Sequence, residues 1–210
     1  MRLTAISWPR LTAALARRIA ALEPADGGAF PRVAVDGAPA ARPAELAGAL
    51  AEELPPLGRR VQVIGAEGFL RPASLRYEFG REDPDAYYDE RLDVTALWRE
   101  VFTPLEPGGT GRVLPDLWDP VTDRATRSPY AGLGPGTVVI LHGPLLLHHW
   151  FPFDLTVHLA LTPAALARRT PPAEHWTLPA FARYEEEAKP AEAADVLVRV
   201  DDPRHPAWTG

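Results

Sequence analysis

The chain has 210 residues, of which 46% are hydrophobic and 24% charged, enough apolar surface for one globular core. A net charge of −6 argues against a sequence-independent grip on nucleic acid or an anionic membrane, and the absence of cysteine excludes disulfides and thiolate metal sites. No apolar run approaches the ~18 residues of a membrane span, and Arg17 and Arg18 interrupt the stretch that a signal peptide would keep apolar. A cytoplasmic protein is the expectation.

Ser7-Trp8-Pro9 reads as a helix start, followed by an apolar stripe of Leu11, Leu15, Ile19 and Leu22. Asp26-Gly27-Gly28 links this helix to a strand at Val33–Val35, so residues 1–29 are read as an N-terminal helix and linker ahead of a domain over 30–210. A helix over 44–54 closes at Pro55-Pro56, and Val61–Ile64 forms a second strand. Residues 70–93 are polar and aromatic, a helix over 93–102 stops at Pro104, and 104–136 reads as a Pro/Gly excursion with a short strand near Arg112. The run Thr137–Leu141 predicts a strand buried on both faces. Strands at Asp154–Leu159 and Asp195–Val200 flank helices over 162–169 and 178–188. Strands alternating with helices predict a mostly parallel α/β sheet, with ligands at the carboxyl ends of the strands. Those ends are Gly37, Glu67, His142 and Asp201.

The stretch from Val33 to Ala44 carries the parts of a phosphate-binding loop: strand, small-residue turn, helix. Such a loop uses Gly-x-x-x-x-Gly-Lys-Ser/Thr, with glycines for close approach, lysine for charge and a hydroxyl for magnesium. Here the turn is Gly37, Ala38, Pro39, Ala40, Ala41, Arg42, Pro43 and Ala44. Arg42 stands at the second glycine, Pro43 at the lysine and Ala44 at the hydroxyl. Pro43 offers no N–H and biases Arg42 away from the right-handed helical region. The one lysine of the chain, Lys189, lies far downstream.

The order of these elements resembles the uridine kinase-like branch of the P-loop nucleoside kinases over residues 30–206. Glu67-Gly68-Phe69-Leu70-Arg71-Pro72 is similar to the family's Asp-Gly-Phe-His-Arg-Pro, in which the acid takes the proton from the nucleoside hydroxyl. Gly80-Arg81-Glu82-Asp83-Pro84-Asp85-Ala86-Tyr87-Tyr88 is similar to its substrate-side stretch. The resemblance implies a three-layer P-loop fold with a five-stranded, nearly all-parallel sheet and a shortened lid. It makes Glu67 the catalytic base, with Phe69, Arg71, Tyr77, Arg81, Tyr87 and Tyr88 on the substrate side and Arg168, Arg169 and Arg183 as lid arginines. Asp201, Asp202 and Pro203 would lie beside the nucleotide base. His142 stands where the family has the third-strand acid that helps place magnesium, and neutral imidazole is a poor ligand for that hard cation.

Phosphoryl transfer rests on charge neutralisation by lysine, magnesium and arginine, and three of those parts are replaced together. The expectation is therefore a uridine kinase-like pseudoenzyme that binds a nucleoside-like or small anionic ligand or a protein partner, with no cofactor and no metal. One alternative is an active phosphotransferase using ATP and Mg²⁺, with Glu67 as base and arginines in place of the lysine. Another is ATP-independent chemistry on Glu67 and His142. His148 and His149 are read as structural, and Glu185-Glu186-Glu187 as a solvated helix face.

Overall fold

The computed structural model describes residues 3–210. Its centre is a seven-stranded sheet. In chain order the strands are β1 (Thr4–Ala5), β2 (Arg32–Asp36), β3 (Val61–Gly65), β4 (Arg112–Val113), β5 (Trp118–Asp119), β6 (Arg124–Ala125), β7 (Ala131–Gly132), β8 (Val138–Gly143), β9 (Leu155–Ala160), β10 (Val196–Arg199) and β11 (Ala207–Trp208). The sheet runs β1-β11-β10-β9-β2-β8-β3. The five strands from β3 to β10 pair in parallel, as expected. Two short antiparallel strands, β11 and β1, extend the β10 edge beyond the five expected.

Alternation along the strands divides the core between two faces. Val33, Val35, Val138, Ile140, Val157 and Val198 point to one, where α1 (Trp8–Ala20) and α2 (Pro43–Glu53) cover them. Val139 and Leu141 point to the other, against Leu97, Val101 and Phe102. Helices on both faces of a parallel sheet make three layers. The α1 stripe of Leu11, Leu15 and Ile19 is fully buried in the same core as the sheet.

Short helices α3 (Ala73–Arg76) and α4 (Pro84–Asp89) precede α5 (Val94–Leu97), which continues through a π turn at Trp98–Phe102 into α6 (Thr103–Leu105). Pro104 does not stop this helix. The carbonyl its ring would otherwise crowd, that of Glu100, instead accepts from the Leu114 N–H at 3.0 Å. The following excursion holds two small antiparallel pairs, β4–β7 and β5–β6, and it contributes buried Val113 to the core. The chain closes with α7 (Pro163–Arg169), α8 (Leu178–Glu187) and α9 (Pro190–Ala193). Among the described residues, no helix is long and apolar enough to cross a membrane.

Candidate functional site

The carboxyl ends of β2, β3 and β8 open into a cleft of about 390 Å³. Strand order reverses there, since β8 inserts between β2 and β3 before the chain continues to β9 on the other side of β2. Pro39, Arg42, Pro43 and Ala44 form one wall, Glu67 and Leu70 a second, and Tyr87, Tyr88 and Arg91 a third; His142, Leu145 and His149 are also part of the lining.

The turn after β2 is closed on itself. Pro39–Ala41 forms a single 3₁₀ turn. The N–H groups of Ala41 and Arg42 donate to the carbonyls of Ala38 and Pro39 at 2.8 and 3.0 Å, and that of Gly37 donates to Gly143 at 3.1 Å. Pro39 and Pro43 have no N–H to offer. Arg42 takes the left-handed conformation, φ 61° and ψ 53°, that glycine adopts without cost. Its exposed guanidinium pairs with Glu45 at 3.2 Å.

Glu67 projects from a 3₁₀ turn, Ala66–Phe69, at the end of β3. Its carboxylate folds back over Gly65, where an added Cβ would lie 2.5 Å from Oε1. Gly65 is the register partner of His142 across β3 and β8, so the two predicted catalytic residues meet at one strand end. Burial holds the His142 imidazole pKa below its ordinary value, and the Glu67 charge partly opposes that shift. A neutral imidazole beside an exposed carboxylate is chemically suited to accept a proton from a substrate hydroxyl or to bind it.

The substrate-side residues divide. Tyr87 and Tyr88 line the cleft, with the Arg91 guanidinium 4.6 Å over the Tyr87 ring. Phe69 does not line it. Its side chain is fully buried in the core beneath the sheet, with Leu97 and Phe102 in the same cluster. Arg71 is held by Glu90. Tyr77 lies outside the cleft lining, accepting from Arg76, with Arg81 stacked 5.6 Å from its ring.

The arginines expected to form a lid are mostly engaged elsewhere. Arg183 bonds Asp89 at 2.7 Å and Glu187 at 2.8 Å while lying 4.2 Å over the Tyr88 ring, which pins α8 to α4. Arg169 donates to the Asp201 carbonyl, and Arg168 is exposed at the end of α7. Asp201 is a staple between β10 and α7, accepting from both the N–H and hydroxyl of Thr162. Asp202 closes its own turn onto Arg204 and His205. The Pro203 carbonyl accepts from the Trp8 indole at 2.7 Å, so α1 is tied to the loop expected beside a nucleotide base. Trp8, Ala41, Arg42, Arg169 and Pro203 enclose a separate cavity of about 220 Å³.

A buried polar node went unread in the sequence. Asp36, fully buried at the end of β2, accepts from the Leu146 N–H at 2.8 Å, the Tyr184 hydroxyl at 3.0 Å and His158 Nδ1 at 2.6 Å. Tyr184 in turn accepts from the Leu147 N–H at 3.0 Å, so the node ties the loop after β8 to α8. Burial lowers the His158 pKa, but the Asp36 hydrogen bond and the nearby Asp36 and Glu185 charges outweigh it and raise the pKa to about 9. His149, also unpredicted in the cleft, packs 3.6 Å from His148, whose ring stacks on Tyr88. Burial, with a small contribution from His148, pulls its pKa down to about 3.

No protein-family model matches the chain, and no curated protein matches its sequence. Solved structures do match. A protein of Bacillus stearothermophilus described as a possible uridine kinase superposes with a TM-score of 0.72 at 23% identity, over 90% of this chain and 98% of that one. A "putative fructose transport system kinase" of Silicibacter sp. TM1040 superposes with a TM-score of 0.62 at 27% identity, over 87% and 94% of the two chains. The mostly parallel sheet, its flanking helices and these neighbours together give the chain the fold of the P-loop kinases.

Proposed function

We propose that this chain is a uridine kinase-like protein that binds a nucleoside-like or small anionic ligand in the cleft at Glu67, without ATP- and magnesium-dependent phosphoryl transfer. The observation that carries the reading is the closed turn after β2. Two of its N–H groups are engaged by its own carbonyls, two of its positions are proline, and Ala44 has no hydroxyl for a cation. Its one basic side chain, Arg42, lies against Glu45. What supports ligand recognition in the cleft is its tyrosine-lined wall at Tyr87 and Tyr88, the Arg91 charge, and the Glu67 carboxylate to bind a sugar hydroxyl.

Calorimetric titration tests this directly. Uridine and related nucleosides are expected to bind the unmodified protein, with weaker binding after Glu67→Gln, while Mg·ATP gives no heat up to the millimolar range. The triple change Arg42→Gly, Pro43→Lys and Ala44→Thr rebuilds the resembled loop and is expected to introduce Mg·ATP affinity. Micromolar Mg·ATP binding by the unmodified protein would overturn the reading. A second reading draws on the cavity enclosed by Arg42 and Arg169, two guanidinium groups beside the loop that could replace the missing lysine. It predicts transfer of label from γ-labelled ATP to a nucleoside, abolished by Glu67→Gln.

A further inference from the structure

A third cavity, of about 530 Å³, lies between the end of β9, the start of α7 and α8, and it shares no lining residue with the cleft. Its walls are apolar, formed mainly by Leu159, Leu161, Leu166, Leu178 and Phe181. His158, His175, Tyr184 and Glu185 are the polar side chains on that wall, and one of them, His158, is incompletely bonded. The His158 side chain is 4% exposed; its Nδ1 is bound to Asp36, but its Nε2 is buried without a hydrogen-bond partner. A buried donor left unsatisfied costs free energy, and in native proteins such a group calls for an explanation. Glu185 Oε1 is 3.8 Å away, beyond hydrogen-bond reach, on a side chain that is half exposed.

The charges around the vacant position narrow what could fill it. One imidazolium sits between two carboxylates, Asp36 and Glu185, so the surroundings carry an excess negative charge and disfavour an anion. The apolar walls disfavour a sugar or other polyol, whose remaining hydroxyls would lose hydrogen bonds to water. A single hydroxyl matches both neighbours, because it accepts one hydrogen bond and donates another.

We propose that this cavity is a binding site for an uncharged alcohol or phenol, whose hydroxyl accepts from His158 Nε2–H and donates to Glu185 while its apolar body packs on Leu161, Leu166 and Phe181. The site stands on the cavity and its unpartnered nitrogen, independently of any ligand in the cleft. Neither histidine nor glutamate changes covalently.

The test is a ¹⁵N NMR titration of the imidazole nitrogens with 4-ethylphenol, ethylbenzene and 4-ethylbenzoate. Saturable movement of the His158 Nε2 resonance by 4-ethylphenol is expected at submillimolar concentration. Ethylbenzene, lacking the hydroxyl, and 4-ethylbenzoate, carrying a charge, are each expected to bind roughly tenfold more weakly or worse. Ala182 borders the cavity on the exposed side of α8, so Ala182→Trp adds a bulky ring at its wall and is expected to abolish the shift. No saturable shift, equal binding of all three probes, or unchanged binding in Ala182→Trp would each overturn the assignment. Should the tryptophan variant fail to fold, the comparison of probes on the unmodified chain decides.

Discussion

Asp36 and His158 are register partners in neighbouring parallel strands, and their side chains meet at 2.6 Å in a part of the molecule closed to water. Asp36 adds bonds from Tyr184 and Leu146, so one carboxylate joins β2, β9, α8 and the loop after β8. Removing its charge would leave the imidazolium buried and uncompensated. Asp36→Asn is therefore expected to lower unfolding free energy by about 3 kcal/mol, measured by urea denaturation at pH 7. A loss below ~1 kcal/mol would mean that the pair is not an ion pair in the folded protein.

The histidines give stability a pH optimum, with opposite signs on its two sides. His158 faces Asp36, Glu185 and Tyr184, and its folded pKa of about 9 lies above the ordinary 6.5. Its contribution is fully present below pH 6.5 and is lost as pH rises through 9; it is on the order of 3 kcal/mol. His142, His148 and His149 behave in reverse, since burial depresses each of them. The unfolded chain takes up their protons first, so stability falls as pH drops below 6.5. Urea midpoints measured from pH 4 to 10 should peak near neutrality, and His158→Phe should flatten the alkaline limb.

Gly65 sets the position of Glu67. A methyl group there would lie 2.5 Å from Oε1 and 2.7 Å from the carboxyl carbon, and the flexible side chain would have to swing away. Gly65→Ala is expected to cost little stability yet to weaken nucleoside binding about as much as Glu67→Gln. Calorimetry on both variants checks this; wild-type affinity in Gly65→Ala would show that the carboxylate does not contact the ligand.

Arg42 holds a left-handed conformation that costs a non-glycine residue roughly 1–2 kcal/mol. Arg42→Gly removes that cost, while greater freedom of the unfolded chain returns part of it, about 0.4–1 kcal/mol. The exposed pair with Glu45 contributes little. The net expectation is a gain of roughly 0.5–1 kcal/mol, readable as a higher urea midpoint. A loss would mean that the guanidinium is anchored by more than Glu45.

What the sequence disclosed follows how local the determining contacts are. The run Thr137–Leu141 announced β8 because a strand covered on both faces needs apolar side chains pointing both ways. Gly37, Glu67 and His142 were recognisable as strand ends, and all belong to segments that converge. Phe69 misled, since proximity in sequence to Glu67 does not tell which side of the chain a ring faces. Pro104 misled because the Glu100 carbonyl found its partner at Leu114, in the next segment. Asp36 and His158 lie more than a hundred residues apart, and only the order of strands in the sheet makes them neighbours. Glu185 is exposed, as read, and its carboxylate also faces His158 for the same reason.

The indole of Trp8 donates to a carbonyl 195 residues further along the chain, and beside that contact Thr4 and Ala5 pair with Trp208 and Ala207. This edge of the sheet can therefore close only once residues 203–208 have been made: the first helix emerges from the ribosome long before the residues that hold its start in place. Until then Leu11, Leu15 and Ile19 can bury themselves only against β2, α2 and the strands that follow. Non-local closure of this kind slows folding and lengthens the exposure of apolar surface during synthesis.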